Sequence, residues 1–119
     1  MNKYVLGIDQ STQGTKGLLF DEKGALLCRA DLPHKQYIDE RGWVEHDPEE
    51  IYANALQVVK NLIEKAGIDK KEISVLGISN QRETALVWDR KTGKPVYNAV
   101  VWQCARGSEI CKKIAAEHE

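Results

Sequence analysis

The stretch Asp9-Gln-Ser-Thr-Gln-Gly-Thr-Lys-Gly17 sets an acid, three hydroxyl residues, two glycines and a lysine between the apolar runs Tyr4–Ile8 and Leu18–Phe20. A plain hairpin needs about two to five loop residues, and this polar connection reads as longer. Successive backbone N–H groups in a tight turn form an anion-binding nest. Gly14 and Gly17 are expected to allow close backbone approach. Ser11, Thr12 and Thr15 offer hydroxyl donors, and Lys16 a mobile positive charge. Asp9 would repel a phosphate unless a divalent cation lay between them, so an acid at the strand end points to Mg²⁺ held largely through water. The Walker pattern is excluded, because that loop follows a strand and opens a helix. Taken alone, the stretch fits a polar hairpin loop equally well.

A second cluster is Asn80-Gln-Arg-Glu-Thr84, after the apolar run Ile73–Ser79. The carboxyl end of a strand is where open α/β sheets bind ligands. Gln81, Arg82 and Glu83 combine an amide, a forked donor and a carboxylate, a set that can satisfy vicinal hydroxyls. A solvated turn is the plain alternative. Trp102 ends a later apolar run, and its face could cover the carbon skeleton of a polyol; core packing is its plain alternative. Trp43 and Trp88 read as packing residues. His34, His46 and His118 are too scattered for a metal site.

These groups need a scaffold. Tyr4–Asp9, Thr15–Phe20 and Ala25–Ala30 read as three antiparallel strands, the second turn being Asp21-Glu-Lys-Gly24. Asp31–His46 has no clear period and reads as a loop with aromatic anchors. Asp47, Pro48 and Glu50 form a helix start, with cap, first-turn proline and capping-box glutamate. Ile51, Ala55, Val58, Val59, Leu62 and Ile63 then make a helical stripe ending at Gly67. Ile73–Ser79 follows this crossover and is expected to run parallel to a strand of the meander. Thr84–Asp89 and Ala99–Trp102 read as a fifth and a sixth strand, and a helix is expected from Ala105.

The 119 residues suit one ordinary domain. With 17 basic and 18 acidic residues and no run of like charge, nothing points to nucleic acid or a membrane surface. No apolar run approaches a membrane span and no signal peptide is expected. Cys28, Cys104 and Cys111 match no zinc pattern, so reduced thiols and a cytoplasmic setting are expected.

The segments GIDQSTQGTKGLLFD, GWVEHDPEE, GISNQRETALVWDRKTGKPVYNAVVWQ and CARGSEIC together resemble the N-terminal part of the FGGY carbohydrate kinases, most of all the glycerol kinases. The resemblance covers nearly the whole chain in the family's order. It implies an α/β chain of the ribonuclease-H-like (actin-like ATPase) fold. Its mixed sheet begins with a three-stranded antiparallel meander, followed by a helix and a parallel strand. It implies ATP and Mg²⁺ as cofactors and phosphoryl transfer to a polyol or sugar hydroxyl. The family's phosphate-binding role falls on Thr12, Gln13 and Lys16, its metal role on Asp9, and its substrate role on Gln81, Arg82, Glu83 and Trp102.

Glycerol kinases read DQGTT and then Arg at the first loop; here Ser11, Gln13 and Lys16 stand at those places. Lysine neutralises phosphate without the bidentate fork of arginine. These departures leave the polyol open, although Gln81, Arg82, Glu83 and Trp102 favour glycerol. The family's catalytic base and adenosine-binding domain belong to a later segment. Residues 1–119 are therefore expected to be one truncated portion of the N-terminal domain, inactive alone, with exposed apolar surface that leaves a homo-oligomer open. The alternative is a non-catalytic sugar- or polyol-binding or regulatory module of the same fold.

Overall fold

A computed structural model describes residues 2–118; Met1 and Glu119, the ends of the expected 1–119 domain, lie outside the described residues. Among the described residues two compact units form: 2–34 with Pro48–Gln81, and Lys35–Asp47 with 82–118.

The first unit carries strands β1 (Tyr4–Gln10), β2 (Gly14–Phe20) and β3 (Leu26–Pro33). The connection after β1 is only three residues, shorter than the sequence suggests. Helix α1 spans Pro48–Ala66. A 3₁₀ turn, Lys70–Glu72, is capped by Asp69 and leads into the strand Ile73–Ser79, here called β6 because two short strands of the second unit precede it in chain order. The sheet order is β3-β2-β1-β6, antiparallel except for the parallel β1–β6 pair. That is the expected meander, helical crossover and parallel strand.

The register fixes the faces of this sheet. Directly opposed residues share a face. Leu6, Leu19, Val58 and Leu62 form the buried core, with Cys28, Ala30 and Leu32 packed against it. Residues of β2 with odd numbers therefore face α1, and even-numbered ones face away. Of the helical stripe, Val58 and Leu62 are fully buried and Ile51, Ala55, Val59 and Ile63 partly so. A Cβ on Gly17 would lie 2.4 Å from Val58 Cγ1 and 2.5 Å from Leu62 Cδ1. One on Gly14 would lie 2.6 Å from the Leu32 carbonyl oxygen. Both glycines serve contacts inside the unit. Thr15 is buried, and its strand turns it toward the helix side.

The second unit is held by short strands, β4 (Tyr37–Ile38), β5 (Val44–His46) and β7 (Ala99–Val100), in the order β4-β5-β7. The segment read as a loop before α1 thus supplies two strands, and β3 runs on to Pro33. The expected fifth strand, Thr84–Asp89, reduces to the bridges Ala85–Val100 and Trp88–Pro95. Pro95 has no N–H to donate, which shortens any ladder there. The sixth strand shrinks to β7 for want of a long partner. Trp88 does not pack: it is 58% exposed. Helix α2 spans Ser108–Glu117.

Candidate functional site

The first loop is closed by its own polar groups. Ser11 donates to the Gly14 carbonyl through both its backbone N–H, at 2.9 Å, and its Oγ, at 3.0 Å. Gln10 donates through Nε2 to the Ser11 carbonyl at 2.9 Å and to Gln81 Oε1 at 3.2 Å. Sequence reasoning gave Gln10 no role. Its signal was available only as adjacency to Asp9, because its partner lies 71 positions away.

Asp9 and Lys16 are register partners across β1 and β2. Both lie on the face away from α1, the side opposite Gly17 and Thr15. Neither forms an ion pair or side-chain hydrogen bond among the described residues. Asp31 on β3 is the register partner of Lys16 on the other side, and Ser79 on β6 is that of Asp9. A cleft of about 320 Å³ is lined by Ser11, Gln13, Lys16 and Asp31, among others. Thr12 is half-buried and Gln13 exposed. Asp9, which has no ion pair among the described residues, fits a magnesium ion that keeps most of its waters; the Lys16 ammonium beside it suits an anion and does not favour the cation.

Of the second cluster, Gln81 belongs to the first unit, at the end of β6. Arg82, Glu83 and Trp102 belong to the second. Arg82 and Glu83 are exposed, and neither side chain is engaged in an ion pair or hydrogen bond among the described residues. Glu83 has φ 50, the left-handed region that non-glycine residues rarely occupy. Trp102 is 56% exposed, so it is not a core residue of its unit.

The second unit is organised around Glu45, on β5. Its carboxylate accepts from Arg106 Nη2 at 2.5 Å, Tyr97 Oη at 2.9 Å and Asn98 Nδ2 at 3.1 Å. The Arg106 hydrogen bond outweighs the opposing cost of burial and, with Asn98 and Tyr97, holds Glu45 below the usual carboxylate range. Arg106 also lies 4.2 Å from the Trp43 ring and Arg41 lies 3.6 Å from it, so Trp43 has the packing role its sequence suggests. Among the described residues no group of three metal-ligating side chains gathers. No helix among them is long and apolar enough to cross a membrane.

Residues 4–119 match the model of the N-terminal domain of the FGGY family of carbohydrate kinases. This chain belongs to that family. The FGGY chain is 58% identical over 111 residues to glycerol kinase 1 of Thermotoga maritima, covering 93% of this chain and 23% of that protein. It is 46% identical over 114 residues to a glycerol kinase of Thermoanaerobacter pseudethanolicus, covering 96% of this chain and 23% of the relative. Among solved structures, glycerol kinase of Plasmodium falciparum with ADP superposes with a TM-score of 0.86 at 39% identity, over 99% of this chain and 24% of that one. Gluconate kinase of Lactobacillus acidophilus superposes with a TM-score of 0.89 at 22% identity, over 98% of this chain and 23% of that one, which speaks for the fold alone. The mixed sheet of the FGGY chain is accordingly that of the actin-like, ribonuclease-H-like ATPase fold. It spans about a quarter of the length of the relatives it matches.

Proposed function

We propose that this chain is the N-terminal portion of a cytoplasmic, ATP-dependent polyol or sugar kinase, with glycerol the favoured acceptor. The observation that carries the proposal is the Asp9–Lys16 pair: opposite charges in register, on one face, neither in an ion pair among the described residues. Asp9 would hold Mg²⁺ through water, and Lys16, Thr12 and Gln13 would take the phosphates of ATP. Bound Mg-ATP supplies the transferable phosphoryl group and the charge that offsets it. The chain's own work is positioning and charge neutralisation, which dominate phosphoryl transfer. Arg82, with Gln81, donates to acceptor hydroxyls and Glu83 accepts from them, while the Trp102 face covers the carbons. The carboxylate that takes the hydroxyl proton lies in a segment that the relatives carry beyond this match. These 119 residues alone are inactive in this proposal. Glycerol kinase relatives at up to 58% identity support the acceptor class.

The edge strand β6 leaves Val75 55%, Leu76 53% and Ile78 65% exposed. Exposed apolar edges self-associate, and the isolated chain is proposed to do so.

The test is ADP release by the full-length parent with Mg-ATP and glycerol, erythritol, xylulose, ribulose or gluconate. Turnover with glycerol is expected. Turnover with another acceptor alone would move the specificity, and no turnover with any would turn suspicion on Ser11, Gln13 and Lys16 and favour a non-catalytic binding module of the same fold. ADP release by the 119 residues alone would refute the claim that they are inactive.

A further inference from the structure

The charged row on the open face does not stop at the expected site residues. Lys16 on the central strand β2 has a carboxylate in register on each side, Asp9 on β1 and Asp31 on β3. Asp31 attracted no notice in the sequence, because it sits 15 positions from Lys16, at the start of a segment without period. It is exposed and makes no ion pair among the described residues. It lines the same cleft as Ser11, Gln13 and Lys16.

Two functions for this second carboxylate can be weighed by distance. Asp9 and Asp31 are separated by two strand spacings, about 9.5 Å. Lys16 stands between them on the same face, and its ammonium disfavours a cation shared by the two carboxylates. Asp31 and Lys16 are one spacing apart, with Cβ atoms about 5 Å from each other, within the reach of a lysine side chain. The group that Asp31 acts on is therefore the ammonium of Lys16.

We propose that Asp31 is a positioning residue of the phosphate loop, a counter-charge that competes with phosphate for Lys16 and holds nucleotide affinity down. The proposal rests on the phosphate-loop reading of Asp9–Lys16. The two side chains make no ion pair among the described residues, so Asp31 acts through its field: its charge offsets part of that of Lys16 in the cleft. An incoming triphosphate meets a partly neutralised lysine and also sits near the Asp31 charge itself. Both effects act in one direction: they weaken anion binding and ease release of the diphosphate product. A lysine, with one mobile ammonium, is open to such competition in a way that a forked arginine held bidentately on phosphate is not.

The test uses the full-length parent with inorganic triphosphate and MgCl₂ as the probe, followed by titration calorimetry. Asp31→Asn should tighten binding about two- to tenfold, the range for removing one like charge some 8 Å away at intermediate to high dielectric. Asp31→Glu should restore the wild-type value. The difference should shrink at 0.5 M salt, where the screening length is about 4 Å. A merely structural role would not strengthen binding on substitution. If Lys16→Met abolishes binding but Asp31→Asn matches the wild type or binds more weakly, the proposal falls and the phosphate loop stands. An Asp31→Glu variant that behaves like Asp31→Asn also overturns it. If the wild type does not bind triphosphate, or Lys16→Met binds as well as the wild type, the phosphate-loop reading falls and this proposal falls with it.

Discussion

Gln10 Nε2 donates to Gln81 Oε1 at 3.2 Å, joining the turn after β1 to the end of β6. The same amide holds the Ser11 carbonyl, so one side chain ties the loop to the end of β6. A neutral, partly buried hydrogen bond is worth about 0.5–1.5 kcal/mol net. Gln10→Ala should lower unfolding stability by that amount in urea denaturation. The double variant Gln10→Ala, Gln81→Ala should show coupling of at least about 0.5 kcal/mol; strictly additive losses would mean that the two amides act independently.

Gly17→Ala should destabilise the chain by about 1–3 kcal/mol, the usual cost of overpacking. The added methyl meets Val58 and Leu62, both fully buried, and a β-branched valine on a helix has one strongly preferred rotamer. That clash outweighs the gain of about 0.5–1 kcal/mol expected from replacing a strand glycine. Adding Val58→Ala should recover part of the loss. A Gly17→Ala chain as stable as the wild type would refute the close helix–strand contact.

Stability should fall on the acid side through Glu45. Arg106, Asn98 and Tyr97 lower its folded-state pKa. Its contribution is thus present above the unfolded value, about 4.3, and is lost as pH falls through the lower folded value. Asp39, lowered chiefly by the Arg41 hydrogen bonds, and Asp89, lowered chiefly by the Thr92 backbone N–H, act in the same direction. Urea midpoints measured from pH 7 down to pH 3 should drop for the wild type. They should drop less steeply for Glu45→Gln. Parallel curves for the two chains would show that Glu45 has no share.

Glu83 sits at φ 50, a conformation that asparagine tolerates better than glutamate. Glu83→Asn should keep or raise thermal stability by about 0.5 kcal/mol. In the full-length parent the same change should raise KM for the polyol, because the carboxylate acceptor is gone. Lower stability together with an unchanged KM would contradict both halves.

Sedimentation velocity at rising concentration should show association of the wild-type chain through its apolar edge. Ile78→Lys places a charge on a residue already 65% exposed and should suppress it, as charged edge residues do in natural sheets. A wild-type chain that stays monomeric throughout would refute the edge as a sticky surface.

Local pattern in the sequence carried much of the fold. The alternation of β1 and β2, the Asp47-Pro48 start of α1 and the stripe through Val58 and Leu62 are short-range signals, because strand and helix periods are written in neighbouring residues. The same holds for Asp9 and Lys16 as charge-bearing candidates. Their register pairing, the turning of Thr15 toward the helix, and the reason for Gly14 and Gly17 were decided by tertiary structure. So were the Gln10–Gln81 bridge, the loss of a full strand at Thr84–Asp89, and the place of Asp31 beside Lys16. Each depends on which backbone lies opposite, and that is set by packing between residues far apart in the chain, where no local period reaches.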